Sequence, residues 1–149
     1  MIGTSGDTGF TLGPMLAAES MFVADWPLSR VLLANDARFP WLILVPRRAG
    51  LVDLDDLDET DLALLLPEIR QAMQWLRALA PCDKLNVGAL GNIVRQLHVH
   101  IVARRKGDAA WPGPVWGSGL VRRYEPGQQE ALIEQLRSSP PPGDAVAAS

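Results

Sequence analysis

The two histidines of this chain, His98 and His100, lie two residues apart in a segment where apolar and polar residues alternate. Alternation of this kind over residues 96–102 predicts a β-strand. Side chains of a strand point to opposite faces in turn, so Gln96, His98 and His100 are expected on one face, with apolar residues on the other. We therefore take this face as the candidate functional site.

Two imidazoles at this spacing suit chemistry on a phosphate-containing ligand. Residues i and i+2 of a strand lie about 7 Å apart, so the two histidines are expected to contact one polyphosphate without sharing a proton. A neutral imidazole is a nucleophile, and its ordinary pKa near 6.5 also allows proton exchange near neutral pH. Gln96 offers hydrogen bonds without charge. Two other interpretations stay open: purely structural histidines, and a metal-binding His-x-His pair for which no third ligand stands out.

The remaining pattern predicts an α+β domain whose antiparallel sheet of about five strands positions the histidines. Apolar residues at intervals of three and four predict a main helix from about residue 59 to 79, which Pro67 should kink or divide. A shorter C-terminal helix is expected over 128–137. The stretch 107–119, with Trp111 and Trp116, contains too much Pro and Gly for a regular element and reads as an ordered loop. Further strands are expected at 22–23, 31–34, 41–45 and 84–89, and Gly91-Asn92 should turn the chain into the histidine strand.

Composition sets outer bounds on function. The 149 residues, 48% of them hydrophobic, suit one globular domain over 10–138, between a flexible N-terminus at 1–9 and a disordered tail at 139–149. A net charge of −3 argues against general nucleic-acid binding. No signal peptide or membrane-spanning run stands out, and the single cysteine, Cys82, favours a reducing compartment, so a soluble cytoplasmic protein is expected. The acidic run 53–59 is interpreted as a helix entry rather than a cation site.

Several motifs of the chain stand out: the run 31–36, the strand 41–46, Asn86-Val87-Gly88, Gly91-Asn92-Ile93-Val94 and the segment 96–104. Together these motifs resemble the histidine triad (HIT) superfamily of nucleotide hydrolases and transferases. The resemblance covers roughly residues 10–117, and the histidine strand is its most specific part. The loop 107–119 further resembles a bacterial subgroup described as HIT-like or diadenosine tetraphosphate hydrolase-like.

The resemblance implies roles for individual residues. The family pattern has three histidines alternating with apolar residues, and alignment on Ile101-Val102 and Arg104 makes His98 the central one. His98 is thereby implied to be the nucleophile that attacks the α-phosphate and carries a covalent nucleotidyl group. His100 is implied to contact the phosphate near the leaving group. Gln96 stands where the family has its first histidine, so weaker turnover is expected.

The substrate and its other contacts follow from the same resemblance. A dinucleoside polyphosphate or a nucleoside phosphoramidate is the implied substrate, with no cofactor and with a homodimer as the usual assembly. A rival interpretation is a nucleotide-binding sensor or interaction module that does not turn its ligand over. Candidate contacts are Asn35 to the ribose, and Asn86, Gly91 and Asn92 to the phosphate.

Overall fold

The fold is described from a computed structural model that covers residues 9–139 in detail. Most of the predicted flexible N-terminus and of the predicted tail therefore lies outside the described residues. The elements are α1 (Pro14–Ala18), β1 (Ser20–Asp25), β2 (Ser29–Ala34), β3 (Trp41–Pro46), a 3₁₀ turn (Leu54–Asp56), α2 (Glu59–Leu79), β4 (Lys84–Gly88), β5 (Val99–Arg104) and α3 (Gln128–Arg137).

The strands form one antiparallel sheet in the order β1-β2-β3-β5-β4. This confirms the predicted five-stranded sheet, its main helix and its shorter C-terminal helix. The short helix α1 was not predicted, because five residues are too few to show a helical period. The helix α2 runs through Pro67 as one element, so of the two predicted effects of this proline, a kink or a division, the division does not occur.

Each face of the sheet is covered by a different part of the chain. On one face α2 packs against the strands, and Leu65, Trp75 and Leu76 join the main core there. The other face holds Leu32, Ile43 and a smaller apolar cluster that includes Leu16 of α1. His100 pairs with Ile43, so the histidines lie on this second face, beside the smaller cluster.

The acidic run before α2 has the predicted role. Asp58 is the N-cap of α2, and its carboxylate accepts a hydrogen bond of 2.8 Å from the backbone N–H of Asp61. A carboxylate at this position satisfies a free helical N–H and is favourable beside the positive end of the helix dipole.

The histidine strand begins later than predicted. Strand β5 spans Val99–Arg104 instead of 96–102, because the preceding residues bond elsewhere. The N–H of Leu97 donates to the carbonyl of Leu51, which lies in the loop before the 3₁₀ turn. His100 is thus a strand residue, whereas Gln96 and His98 belong to the segment that leads into the strand.

Candidate active site

His98 is held in one tautomer by its own backbone. Its side chain is buried, with 6% of the residue exposed, and Nδ1 lies 2.6 Å from the carbonyl oxygen of Gln96. A carbonyl can only accept a hydrogen bond, so Nδ1 carries the proton and donates it. The lone pair of the neutral ring then lies on Nε2. His98 consequently has the form that a nitrogen nucleophile requires.

His100 is held in the opposite tautomer. The indole N–H of Trp41 donates a hydrogen bond of 3.0 Å to Nδ1 of His100. An indole nitrogen can only donate, so Nδ1 of His100 carries the lone pair and Nε2 carries the proton. Burial, and next the neighbouring His98, lower the pKa of His100 to about 4. His100 is therefore a neutral hydrogen-bond donor at physiological pH.

The rings of the two histidines pack against each other. Their centroids are 4.8 Å apart and their planes meet at 73°, an edge-to-face arrangement. The pair thus forms one compact group suited to a single phosphate.

Aromatic rings surround His100 on two further sides. The rings of Trp41 and Trp116 each lie 5.5 Å from it, centroid to centroid. Gly88, paired with His100 across β4 and β5, makes room for Trp116, because a Cβ there would lie 3.1 Å from its Cη2 atom. Alanine at position 88 would require Trp116 or Leu90 to shift by a few tenths of an ångström.

Three clefts meet at His98. We call the first the acidic cleft, of about 400 Å³, lined by Val52, Asp53, Leu54, Asp55, Ala89, Leu90, Gly91 and Leu97. The aromatic cleft, also about 400 Å³, is lined by Asp36, Arg38, Trp41, His100, Trp116 and residues of the 90–94 and 115–121 segments. The apolar cleft, about 210 Å³, is lined by Met15, Leu16, Glu19, Ala34, Asn35, Asp36, Trp41, Ile43, Val94, His100, Val121 and Arg123.

The charged groups beside these clefts are paired with one another. Arg38 and Asp36 form an ion pair at 2.8 Å, and Arg123 pairs with Glu19 at the apolar cleft. Burial works to raise the pKa of Asp36, but the hydrogen bonds from Arg38 and from the backbone N–H of Arg122 hold it below its ordinary value. Asp36 is thus an anion with its oxygens engaged.

Gln96 lies against the N-terminal segment. Its Oε1 accepts a hydrogen bond of 2.7 Å from the N–H of Gly13, and its Nε2 donates at 2.8 Å to the carbonyl of Thr11. The neighbouring Phe10 and Leu12 pack on the apolar cluster of the histidine face. Gln96 thus fastens the segment that leads into α1, whose Met15 and Leu16 form one wall of the apolar cleft.

The other predicted contacts divide between the site and its surroundings. Gly91 lines two of the clefts with φ of +68°, a conformation that favours glycine, and Asn92 lines the aromatic cleft. Asn35 reaches the apolar cleft, although its Oδ1 accepts from the N–H of Tyr124. Asn86 is not brought to the clefts: its Oδ1 accepts from Arg104, which lies farther along β5.

Sequence reasoning did not find Trp41 and Asp36 as site residues. Trp41 read as an ordinary strand residue, and its contact with His100 depends on the pairing of β3 with β5, which places Ile43 opposite His100. Within residues 9–139 no group of three metal-binding side chains exists, and no helix has the length and apolar character for crossing a membrane.

We expect Gln96→Ala to loosen the N-terminal segment without affecting His98, whose hydrogen-bond acceptor is the backbone of residue 96. The loss of two side-chain hydrogen bonds should lower the free energy of unfolding by about 1–2 kcal/mol. Amide hydrogen exchange at Gly13 should become faster. Gln74→Ala, on the exposed face of α2, is the matched control and should change stability by less than about 0.5 kcal/mol. Unchanged exchange at Gly13 in the Gln96 variant would contradict this assignment.

Comparison with known proteins agrees with the fold. The HIT domain family matches residues 16–107, and the chain belongs to this family. Proteins of the family bind nucleotides and often act on them, generally as hydrolases or transferases.

Solved structures of histidine triad proteins resemble the chain over most of its length. One from Bradyrhizobium japonicum is 46% identical, with 87% of this chain and 96% of that chain covered and a TM-score of 0.84. One from Sinorhizobium meliloti is 41% identical, with 89% and 98% covered and a TM-score of 0.86. A third, from Marinobacter aquaeolei, is 40% identical, with 87% and 94% covered and a TM-score of 0.83. No curated protein was found to match.

Proposed function

We propose that the protein is a nucleotide hydrolase or nucleotidyl transferase in which His98 attacks the α-phosphate of its substrate. The observation that carries the proposal is the pair of opposite tautomers. His98 presents a lone pair on Nε2, whereas His100, 4.8 Å away, presents a proton on Nε2. One group is thus suited to attack phosphorus and the other to donate a hydrogen bond to a phosphate oxygen.

The proposed reaction has two displacements at phosphorus. In the first, the Nε2 lone pair of His98 forms the N–P bond, and the bond from phosphorus to the leaving group breaks with its electron pair. A phosphate leaving group departs as an anion, whereas an amine leaving group takes a proton from solvent. In the second, water attacks phosphorus, the N–P bond breaks with its electrons returning to Nε2, and the water proton passes to solvent. An acceptor alcohol in place of water makes the reaction a transfer.

His100 acts in this scheme through a hydrogen bond and not through proton transfer. A neutral imidazole that gave up its Nε2 proton would become an imidazolate, which is far too basic to form near neutral pH. Its N–H instead stabilises negative charge that develops on a phosphate oxygen in the transition state. Backbone N–H groups near Gly91 and Asn92 are further proposed donors.

The apolar cleft is the proposed nucleoside site. Its walls include Met15, Leu16, Ile43 and Val94, which suit the faces of a base. Asn35 lines the same cleft, and we keep it as the proposed ribose contact. Because His98 lines the same cleft, we propose that a nucleoside seated there directs its 5′ end to that residue.

Charge at the clefts favours a substrate with few phosphates. The described lining residues carry four carboxylates, Glu19, Asp36, Asp53 and Asp55, and two guanidinium groups, Arg38 and Arg123. Both guanidinium groups are already paired with a carboxylate. A long polyphosphate would meet net negative charge beside His98, whereas a phosphoramidate brings one phosphate and a neutral or cationic leaving group. Of the two substrate classes, we therefore propose the nucleoside phosphoramidate.

Product analysis on a matched substrate panel tests this proposal. We expect release of AMP from adenosine 5′-phosphoramidate with a kcat/KM about tenfold or more above that for diadenosine tetraphosphate, since like-charge contacts cost about 1 kcal/mol or more each. Asp55→Asn should improve the tetraphosphate reaction selectively, and added salt should narrow the difference. Faster cleavage of the tetraphosphate by the native protein would overturn the proposed substrate class. If neither substrate released AMP, the proposal that the protein is an enzyme would be overturned.

A nucleotide sensor is the second candidate function. It is favoured by Gln96, whose amide is bound to the backbone of residues 11 and 13 and replaces a protonatable group of the family pattern. This function predicts saturable AMP binding by calorimetry with no product from either substrate. A product that depends on His98 would exclude it.

On the family resemblance we further propose that the protein belongs to the diadenosine tetraphosphate hydrolase-like subgroup, forms a homodimer and is cytoplasmic. The charge at the clefts bears on the first of these, because it argues for a different preferred substrate from the one in the subgroup's description.

A further inference from the structure

A tryptophan next to the histidine pair has a position that packing alone does not require. Trp41 is the first residue of β3 and pairs with Val102 of β5. Its neighbour two residues along, Ile43, pairs with His100, so Trp41 and His100 are diagonal neighbours on one sheet face. The indole N–H points along this diagonal and meets Nδ1 of His100 at 3.0 Å.

We propose that Trp41 is a positioning residue whose indole N–H keeps His100 in the neutral tautomer with its proton on Nε2. The consequence for catalysis rests on the function proposed above, but the tautomer itself does not. Since Trp41 only donates and Nδ1 only accepts in this contact, a proton on Nδ1 would break the hydrogen bond and set two N–H groups against each other. Trp41 thus opposes both the other tautomer and the imidazolium.

Among the described residues, none competes with Trp41 for Nδ1 of His100. His100 is 8% exposed, and its ring lies among the rings of Trp41, His98 and Trp116. The second indole does not duplicate the first, because the buried Nε1 of Trp116 has no hydrogen-bond partner among the described residues. Of the two tryptophans beside His100, only Trp41 therefore acts on its protonation through a hydrogen bond.

Other ionisable groups near His100 act on its charge from a different direction. They are His98 in the segment before β5, Asp36 and Arg38 in the turn after β2, Glu19 after α1, and Arg123 in the segment before α3. Asp36 is paired with Arg38, and Glu19 with Arg123. These paired charges largely cancel, which leaves burial, His98 and Trp41 to decide the state of His100.

Nitrogen NMR of the histidine rings tests the proposal without any assay of activity. In the native protein we expect an unprotonated Nδ1 in His100, a protonated Nε2, and a scalar coupling across the hydrogen bond between Nε1 of Trp41 and Nδ1 of His100. In Trp41→Phe, which keeps an aromatic ring, His100 should show a mixture of tautomers and protonate about one pH unit higher. In Trp116→Phe the coupling and the single tautomer should persist.

Two results would overturn the proposal. One is a native protein in which Nδ1 of His100 carries the proton or shows no coupling to Trp41, and this measurement holds even if the Trp41 variant does not fold. The other is a folded Trp41→Phe variant with the native tautomer and the native protonation midpoint. If the protein proves to be an enzyme, Trp41→Phe should also lower kcat more than it raises KM. If no turnover exists, the NMR result still decides the role of Trp41.

Discussion

Replacement of His98 by alanine is expected to lower kcat/KM for AMP release by about 10³-fold or more, as removal of a catalytic nucleophile does in other enzymes. This corresponds to about 4 kcal/mol or more of lost transition-state stabilisation. The physical reason is that the described site offers no second lone pair in the same place: Nδ1 of His100 is occupied by Trp41, and its Nε2 carries a proton. Single-turnover chromatography of products measures the loss.

Binding should survive this change better than turnover does. His98 lines one part of the apolar cleft, whereas its apolar walls come mainly from α1, β2, β3 and Val94. We expect the Kd of AMP to change by less than about tenfold, because removing one uncharged hydrogen-bonding group costs about 1 kcal/mol. A large loss of affinity with intact folding would mean that His98 binds the nucleotide rather than attacking it.

Trapping of the covalent intermediate tests whether His98 is the nucleophile. Acid-free quenching and intact mass spectrometry should show a nucleotidyl adduct on the native protein and none on His98→Ala. His100→Gln is the matched comparison, because glutamine keeps an N–H donor near the same place but lacks the imidazole ring that Trp41 orients. It should still form the adduct, more slowly. An adduct that forms equally on native protein and His98→Ala would refute the proposed mechanism.

The regular elements were predictable because their signals are local. In α2 the apolar residues recur at helical spacing over 21 residues, and the predicted and observed ends agree. The same holds for α3, where Ile133 and Leu136 lie on the buried side. A strand is harder to bound, because alternation continues wherever a polar and an apolar surface meet. Alternation over residues 96–98 comes from contacts with Leu51, Gly13 and Thr11, and not from sheet pairing.

The histidine pair was predictable from the sequence, but the state of each ring was not. The tautomer of His98 depends on a backbone carbonyl two residues away, and that of His100 on Trp41, 59 residues away. The partners of Gln96 lie 83 and 85 residues away. Long-range contacts of this kind follow from strand order and register, which a single sequence does not show. Asn86 is an example. The sequence predicted that it contacts phosphate, whereas in the structure its Oδ1 accepts a hydrogen bond from Arg104.

Arg104 is expected to be the most costly side chain to remove for the stability of the fold. It is 1% exposed, and its guanidinium donates two hydrogen bonds to Asp108, at 2.8 and 2.9 Å, and one of 2.9 Å to Asn86. It also lies over the rings of Phe39 and Trp111. Arg104→Met keeps the apolar stem but takes the guanidinium from the amide oxygen of Asn86 and from the buried carboxylate of Asp108, which keeps only two backbone N–H donors. We expect a loss of about 3–5 kcal/mol in the free energy of unfolding.

An exposed ion pair supplies the control for this measurement. Arg123 and Glu19 are both about half exposed, so Arg123→Met should cost less than about 1 kcal/mol. The double variant Arg104→Met/Asp108→Asn should recover part of the stability, because it removes the buried charge that the single variant leaves unpaired. Denaturant unfolding with a common m-value measures all three variants. A cost below about 1 kcal/mol for Arg104→Met would show that water replaces the guanidinium.

The Arg104–Asp108 pair predicts how the loss of unfolding free energy in Arg104→Met changes with pH. The hydrogen bonds from Arg104, together with those from the backbone N–H groups of Ala110 and Arg105, lower the pKa of Asp108 from 3.8 to about 2 in the folded protein, against the effect of burial. A lowered folded pKa contributes stability above the unfolded value, near pH 4, and this contribution, about 2 kcal/mol, is lost as the pH falls to 2. The difference in stability between native protein and Arg104→Met should therefore shrink over that interval. A difference that stays constant from pH 4 to 2 would mean that Arg104 stabilises the fold through packing on Phe39 and Trp111 and not through its charge.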